Sequence, residues 1–425
     1  MKRKKIHFYI QYIVLLFIVF ALPFQRTITP PLILLLSFNW VVEVLTDSLL
    51  SGVQLFTKTP LTFDSKWKTI KENRLTFPLF LFVGLFAWLS VSLIYSEDLK
   101  WGVNDFVLKL PLLAFPLILF STDLKHWTVK RIKLLFNIFI LGCLITIFYN
   151  LYHSYANYVE DPNIANFFYM YASFIHHPSY SSMFYVFGLA VMIYFLLNKQ
   201  TNIVEKIAYF LFIPIFIGEI VVLSSKTAFI TLFLLFIMLI FYIVFQKRIK
   251  KINLLYFLIV ILIGWGLYAF LPKNFNRFSN QLEKSQHIGS IKQDTRYVIW
   301  SNACEVAKEN LPWGTGAGDV KAALKLNYAK NLHFDYYLRA YNCHNQYLQF
   351  LVALGIIGFL LFVGGQLYAL FISCKKKYFL FAIFTLVVSI NFLTESMLER
   401  QAGVVFFALF NTLLCVFAFV EPLKE

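Results

Sequence analysis

Hydrophobic residues along this chain come in long blocks separated by short polar intervals, and the blocks have the length of membrane-crossing helices. Stretches of about 17 to 25 apolar residues suffice to span a hydrocarbon core. Twelve fall near residues 6–22, 28–45, 76–95, 103–121, 131–152, 178–197, 204–222, 226–246, 253–271, 345–372, 377–396 and 400–420. The first follows Met1-Lys2-Arg3-Lys4-Lys5, like the charged start of a signal peptide, but no small-residue cleavage site follows and a second apolar block does. It reads as a retained helix. The pattern predicts an all-α polytopic membrane protein with about 12 transmembrane helices and one large extracytoplasmic loop, 272–343, between helices 9 and 10. Four segments follow: 1–177 with helices 1–5 and an outer loop, 178–271 with helices 6–9, the loop 272–343, and 344–425 with helices 10–12 and a short tail.

Composition narrows the class. Of 425 residues, 59% are hydrophobic and 14% charged, against about 25% charged in ordinary soluble domains. That excludes a soluble domain pair, a disordered chain and a nucleic-acid binder, although the net charge is +16. The positive charge sits in alternate loops: Lys2 to Lys5; Lys58 to Arg74; Lys125 to Lys133; Lys247 to Lys251; Lys375 to Lys377. Basic loops stay cytoplasmic, so both termini are expected inside. The intervening loops are poor in Lys and Arg, and 153–177 has neither.

The segment 272–343 departs from this rule, with ten Lys and Arg against six Asp and Glu on the side expected to be outside. Long loops cross largely regardless of charge. The excess fits either an outer surface that handles anions or a solvated loop with an ordinary charge mixture. Within it, Asp294 to Lys308 has helix-forming composition, and Leu311-Pro312-Trp313-Gly314-Thr315-Gly316-Ala317-Gly318 forces an irregular turn where backbone approaches a ligand or another helix closely. No GxxxxGK[ST] loop is present, which argues against a nucleotide-driven pump. No zinc spacing occurs, and neither a metal nor a cofactor is expected. Cys304 and Cys343 form the one outward pair, for which a disulfide is geometrically open.

Polar residues beside membrane spans are costly and become functional candidates. Lys226, in Ser224-Ser225-Lys226-Thr227, is either a snorkelling lysine or part of an anion site. Arg296 and Trp300 share one face of the loop helix, suited to holding a charged group, though a salt bridge to Asp294 or Glu305 would equally explain the arginine. His344, in Cys343-His344-Asn345-Gln346-Tyr347, sits where a ring can accept a proton and Asn345 can orient it or a sugar hydroxyl. His176-His177-Pro178 opens the sixth span and fits an interfacial anchor as well as a contact. Glu395, Glu399 and Arg400 read as a mutual ion pair or as substrate contacts.

Taken in chain order, these motifs resemble the O-antigen ligase and O-antigen polymerase superfamily of bacterial envelope proteins. The resemblance rests on Ser225-Lys226-Thr227, the loop carrying Arg296-x-x-x-Trp300 and Pro312-x-Gly-x-Gly, and His344-Asn345-x-Tyr347-Leu348 leading into a span with Gly355 and Gly358. It covers about 178–420. It implies metal-independent, inverting glycosyl transfer on the outer face of the cytoplasmic membrane, from an undecaprenyl-diphosphate-linked glycan to a lipid A core or another glycan. By position, Lys226 and Arg296 would bind the diphosphate, His344 would act at the attacking hydroxyl, and Asn345, Trp300 and His177 would contact substrate. Such proteins usually carry Arg where this chain has Lys226, which lacks the bidentate fork. A lipid-linked sugar transporter is the rival class, but it would need charges deep in spans on both faces. A membrane scaffold would not explain the ordered motifs.

Overall fold

The computed structural model describes residues 2–24, 27–52, 63–198, 201–245 and 295–420, and every regular element among them is helical. In chain order these are α1 (Lys2–Ala21), α2 (Thr29–Gly52), α3 (Phe63–Glu72), α4 (Thr76–Ser92), α5 (Leu99–Lys109), α6 (Pro111–Phe120), α7 (Val129–Glu160) and α8 (Pro178–Leu197). They continue with α9 (Ile203–Val222), α10 (Lys226–Phe245), α11 (Thr295–Asn310), α12 (Val320–Lys330), α13 (Phe334–Arg339), α14 (Gln346–Lys376), α15 (Phe379–Thr394) and α16 (Gln401–Phe417).

Eleven of the twelve apolar stretches coincide with these helices, and the ninth, 253–271, lies outside the described residues. Seven segments are long and apolar enough to cross a membrane, among them Leu99–Phe120, and Lys226–Ile240, Phe379–Thr394 and Gln401–Phe417 are shorter apolar helices. Helix α9 is 20 residues long but carries Glu205, Lys206 and Glu219. The stretch 103–121 divides at Leu110 because Pro111 has no backbone donor and starts α6 at its first position. Helix α7 runs on to Glu160, past the expected end at 152. No breaker intervenes before Asp161-Pro162.

Helices α8 and α16 form the centre, buried on nearly all sides. With no water to expel inside a bilayer, such helices associate through packing. The packing here is aromatic: Phe139 meets Phe410 at 4.9 Å, Phe184 meets Phe406 at 4.9 Å, and Phe187 meets Phe384 at 5.1 Å and Phe410 at 5.0 Å. Three of these pairs are edge-to-face and Phe184–Phe406 is tilted; such pairs add to simple contact, and they tie α7, α8, α15 and α16 together.

The basic N-terminus and the described parts of the loops before α4 and α7 gather at one end of the bundle, and Lys58 and Lys247 to Lys251 lie outside the described residues. Arg3 donates to the Thr46 carbonyl at 3.1 Å, Asn73 to the Thr122 carbonyl at 2.9 Å, and Lys133 pairs with Glu205 at 2.7 Å. Trp127 packs on Phe417 at 5.3 Å, bringing in the end of α16. The opposite end collects the turns after α1, α9 and α15 and the segment α11–α13.

Helix α14 is broken at Gly355, whose φ of 60° and ψ of −158° are not helical. The break strands backbone groups, and the glycine-rich turn satisfies them. Thr315 donates to the Val352 carbonyl at 2.8 Å, Gly316 to Ala353 at 3.0 Å, and Ile356 donates to the Pro312 carbonyl at 3.0 Å. The Trp88 indole donates to the Leu354 carbonyl at 2.8 Å. A Cβ on Gly314 would lie 2.5 Å from the Gly355 nitrogen, so only glycine permits this approach. The turn is also fastened to the α4–α5 connection, where the Asp319 carboxylate accepts the Glu97 and Asp98 backbone N–H groups at 2.8 Å each. Of the two expectations for this turn, close approach to another helix is the one seen.

Candidate active site

His344 lies two residues before α14, in the left-handed region at φ 42°. Asn345 follows as the helix N-cap, its side-chain oxygen accepting the backbone N–H groups of Tyr347 at 2.9 Å and Leu348 at 3.1 Å. That oxygen therefore serves the helix. The cap and the left-handed residue together turn the His344 ring toward the α15–α16 connection, where Nδ1 lies 3.0 Å from Glu395. A carboxylate only accepts, so Nδ1 is the ring nitrogen that donates to Glu395, and Nε2 is left to face other groups. The imidazole is 30% exposed and the carboxylate 16%. A ligand can thus reach the ring while its partner is shielded.

Burial pushes the Glu395 carboxyl up, but the hydrogen bond and charge of His344, with the charges of His177 and Arg296, outweigh it and hold it below the ordinary glutamate range. Of the sequence-derived candidates, His344 touches Glu395, and His177 and Arg296 act on it through their charge. Arg296 approaches half-buried from the first turn of α11. His177 is the exposed N-cap of α8, with Nδ1 accepting the Ser179 N–H at 3.3 Å. Lys226 is exposed at the start of α10, whose next residue, Thr227, shares a 2.8 Å hydroxyl contact with Thr394, the neighbour of Glu395. Trp300 stands one turn beyond Arg296 and packs against the core. Its indole nitrogen is buried without an acceptor in hydrogen-bond reach.

Glu395, Glu399 and Arg400 do not form the mutual ion pair considered from sequence. Glu399 instead reaches across the bundle to Lys109 at 3.0 Å, and Lys109 also pairs with Asp105 one turn back on α5. Lys109 is fully buried, 5.8 Å from the Phe350 ring centre. The Gln346 side-chain oxygen accepts the Leu398 N–H at 2.7 Å. One short connection, 395–400, is therefore pinned from α5 and α14 while presenting Glu395 to His344. Sequence reasoning passed over Lys109 and Asp105, although an acid and a lysine four residues apart inside an apolar stretch were a legible signal.

Three cations of the described part of the polar segment have local uses. Lys330 pairs with Glu309 at 2.9 Å, Lys325 lies 4.5 Å over the Tyr337 ring, and Lys321 lies 5.4 Å over Trp101. Glu305 accepts from Asn331 at 2.7 Å, and Asp294 lies outside the described residues. Cys304 is exposed and Cys343 buried, both as free thiols. Among the described residues no cluster of His, Cys, Asp or Glu suits a metal ion.

Chemically, the cluster offers a ring nitrogen able to take a proton, a carboxylate that fixes the ring's tautomer, and cationic side chains at the same end of the bundle. That combination suits activation of a hydroxyl beside an anionic group. No curated protein matches the chain. The family model described as O-antigen ligase matches residues 211–363, a stretch that contains Lys226, Arg296, Trp300, His344 and Asn345. The ordered motifs of the resemblance from Lys226 to Gly358 fall inside this stretch, and over residues 211–363 this membrane protein is similar to the O-antigen ligase family model.

Proposed function

We propose that the chain transfers a glycan from an undecaprenyl-diphosphate donor to an acceptor hydroxyl at the outer face of the cytoplasmic membrane, with twelve spans and both termini inside. The observation that carries this reading is the 3.0 Å contact between His344 and Glu395 at the helix ends opposite the basic loops, within reach of the Arg296 and His177 charges. Nε2 of His344 takes the proton of the acceptor hydroxyl as its oxygen attacks the anomeric carbon. The bond from that carbon to the diphosphate oxygen breaks on the opposite side, its electron pair leaving with the diphosphate, and configuration inverts. Lys226 and Arg296 stabilise the departing charge, for which a low-dielectric rim strengthens each contact. Trp300, His177 and the remaining amide donors of Asn345 line the approach of the sugar. No step passes through a metal.

The acceptor is a lipid A core in a ligase and the end of a second lipid-linked glycan in a polymerase; the ligase is the reading put forward. Deleting the gene distinguishes them: a ligase deletion accumulates full-length glycan on the lipid carrier, a polymerase deletion single repeat units. The transporter reading is less well supported, because the candidate side chains collect at one end of the bundle. The direct test incubates purified protein with lipid-linked glycan and acceptors, with chelator present. His344→Ala is expected to lose about 10²- to 10⁴-fold in rate while still inserting in the membrane. Transfer at the wild-type rate by that variant would remove His344 from the mechanism.

A further inference from the structure

The polar segment 272–343 reads from sequence as a solvated loop or an anion-handling surface, yet part of it is built inside out. Helices α12 and α13 form a short hairpin that turns at Leu332, itself in the left-handed region at φ 56°. Leu326, Leu332, Phe334 and Leu338 are 72%, 73%, 58% and 77% exposed, and glycosyl transfer uses none of them. Phe334 and Leu338 are one turn apart on α13 and share a face, as do the exposed Ala322 and Leu326 on α12.

The polar side chains of the hairpin turn the other way. Asn302 and Asn327 are buried beneath it, and Asn331 donates to Asn302 at 2.9 Å and to Glu305 at 2.7 Å. His333 lies 3.1 Å from Asn302. The cations lean back on the protein: Lys321 over Trp101, Lys325 over Tyr337, Lys330 on Glu309, and Arg339 on the Tyr341 hydroxyl at 3.2 Å. A single exposed leucine is ordinary, but four large apolar side chains on one short hairpin whose amides face inward make a surface that needs covering.

What covers it follows from where the hairpin is fastened. Residues 96–98 join two segments long and apolar enough to cross a membrane, Thr76–Tyr95 and Leu99–Phe120. Asp319, just before α12, accepts the Glu97 and Asp98 N–H groups of that connection, and Lys321 lies over Trp101 beside it. Exposed aromatic rings mark the same level: Tyr95 donates to the Trp313 carbonyl at 2.9 Å, and Trp101 and Trp313 are about half exposed. Tyrosine and tryptophan with an apolar body and a polar tip settle at the headgroup level of a bilayer. We propose that α12–α13 is an interfacial anchor whose Leu326, Leu332, Phe334 and Leu338 enter the acyl chains of the leaflet at this end of the bundle, with Lys330 and Arg339 among the headgroups. The hairpin links α11, which carries Arg296, to His344, so the anchor holds both at the membrane surface.

The test uses the full chain in phospholipid nanodiscs, in a Cys304→Ser/Cys374→Ser background that leaves only the buried thiols Cys143, Cys343 and Cys415. Leu326→Cys, Leu332→Cys, Phe334→Cys and Leu338→Cys are made one at a time and labelled with a nitroxide. Paramagnetic resonance then compares collision with dioxygen, which concentrates among acyl chains, and with a nickel chelate, which stays in water. Phe80→Cys, exposed on α4, supplies the lipid reference, and Lys125→Cys, exposed at the basic end, the water reference. The hairpin labels are expected to share the dioxygen-to-chelate ratio of Phe80→Cys. In the chain without substitutions, a phospholipid with a diazirine on its acyl chain is expected to tag residues 322–338, a readout that needs no variant to fold. Hairpin labels with the ratio of Lys125→Cys overturn the proposal. So do labels closed to both colliders, which mean a cover of protein, with dipolar broadening if that cover is a second copy, and so does tagging confined to the spans.

Discussion

Lys109 is the buried cation that pins the 395–400 turn, and replacing it by methionine separates pinning from mere proximity. Its side chain is 2% exposed, Asp105 is 16% and Glu399 23%, so none of the three is solvated enough to relax alone. Methionine matches the aliphatic stem and deletes the charge, leaving two carboxylates facing each other in a low-dielectric site. Removing one partner of a buried pair costs about 3–5 kcal/mol, most of it the uncompensated charge that remains. Glu399→Gln in the same background removes one of those charges, so the double variant is expected to recover part of the loss, with a coupling of about 2 kcal/mol in a double-mutant cycle. Reversible unfolding in mixed micelles measures the cycle. Transfer activity is expected to fall with Lys109→Met because residues 395–400 lose their anchor and carry Glu395 with them. Additive effects of the two substitutions, or a wild-type midpoint for Lys109→Met, would refute the role given to the triad.

Three further outcomes follow from named contacts. Gly355→Ala would put a Cβ 2.0 Å from the Pro312 carbonyl oxygen and 2.5 Å from the Trp313 carbonyl carbon; undocking the turn is expected to cost upward of about 4 kcal/mol, seen as new proteolysis near residues 311–319, and a resistant variant would contradict the account. Glu395, held below its ordinary value, binds fewer protons folded than unfolded, so its contribution is full above about pH 4.3 and disappears as pH falls through the lower folded value. Glu395→Gln is expected to flatten the acid limb of stability, and an unchanged limb in acid unfolding would count against the pairing with His344. Lys226→Ala is expected to raise the KM for the lipid-linked donor, and Lys226→Arg to retain most of the wild-type activity; a severe loss in the arginine variant, in steady-state assays, would assign the lysine another role.

The helices were legible because a bilayer imposes one length and one composition on every span, which is why 178–197 is the observed α8 to the residue. Basic loops were legible for a similar reason, since charge sorts by side. His344, Arg296, Lys226 and His177 were visible as polar residues beside apolar blocks. That Glu395 would face His344 and feel the charges of His177 and Arg296 was not. Glu395 and Glu399 stand four residues apart and looked like one cluster, yet they turn to opposite neighbours 51 and 290 positions away, and only the packing of α5, α14 and α15 selects those partners. The glycine-rich turn likewise announced a close approach without naming its target, because the break at Gly355 creates unsatisfied carbonyls that local sequence does not display. Composition and periodicity determined what must lie in the membrane; which charge meets which was decided by tertiary contacts, since pairing energy depends on distance and burial, and neither is a property of sequence neighbours.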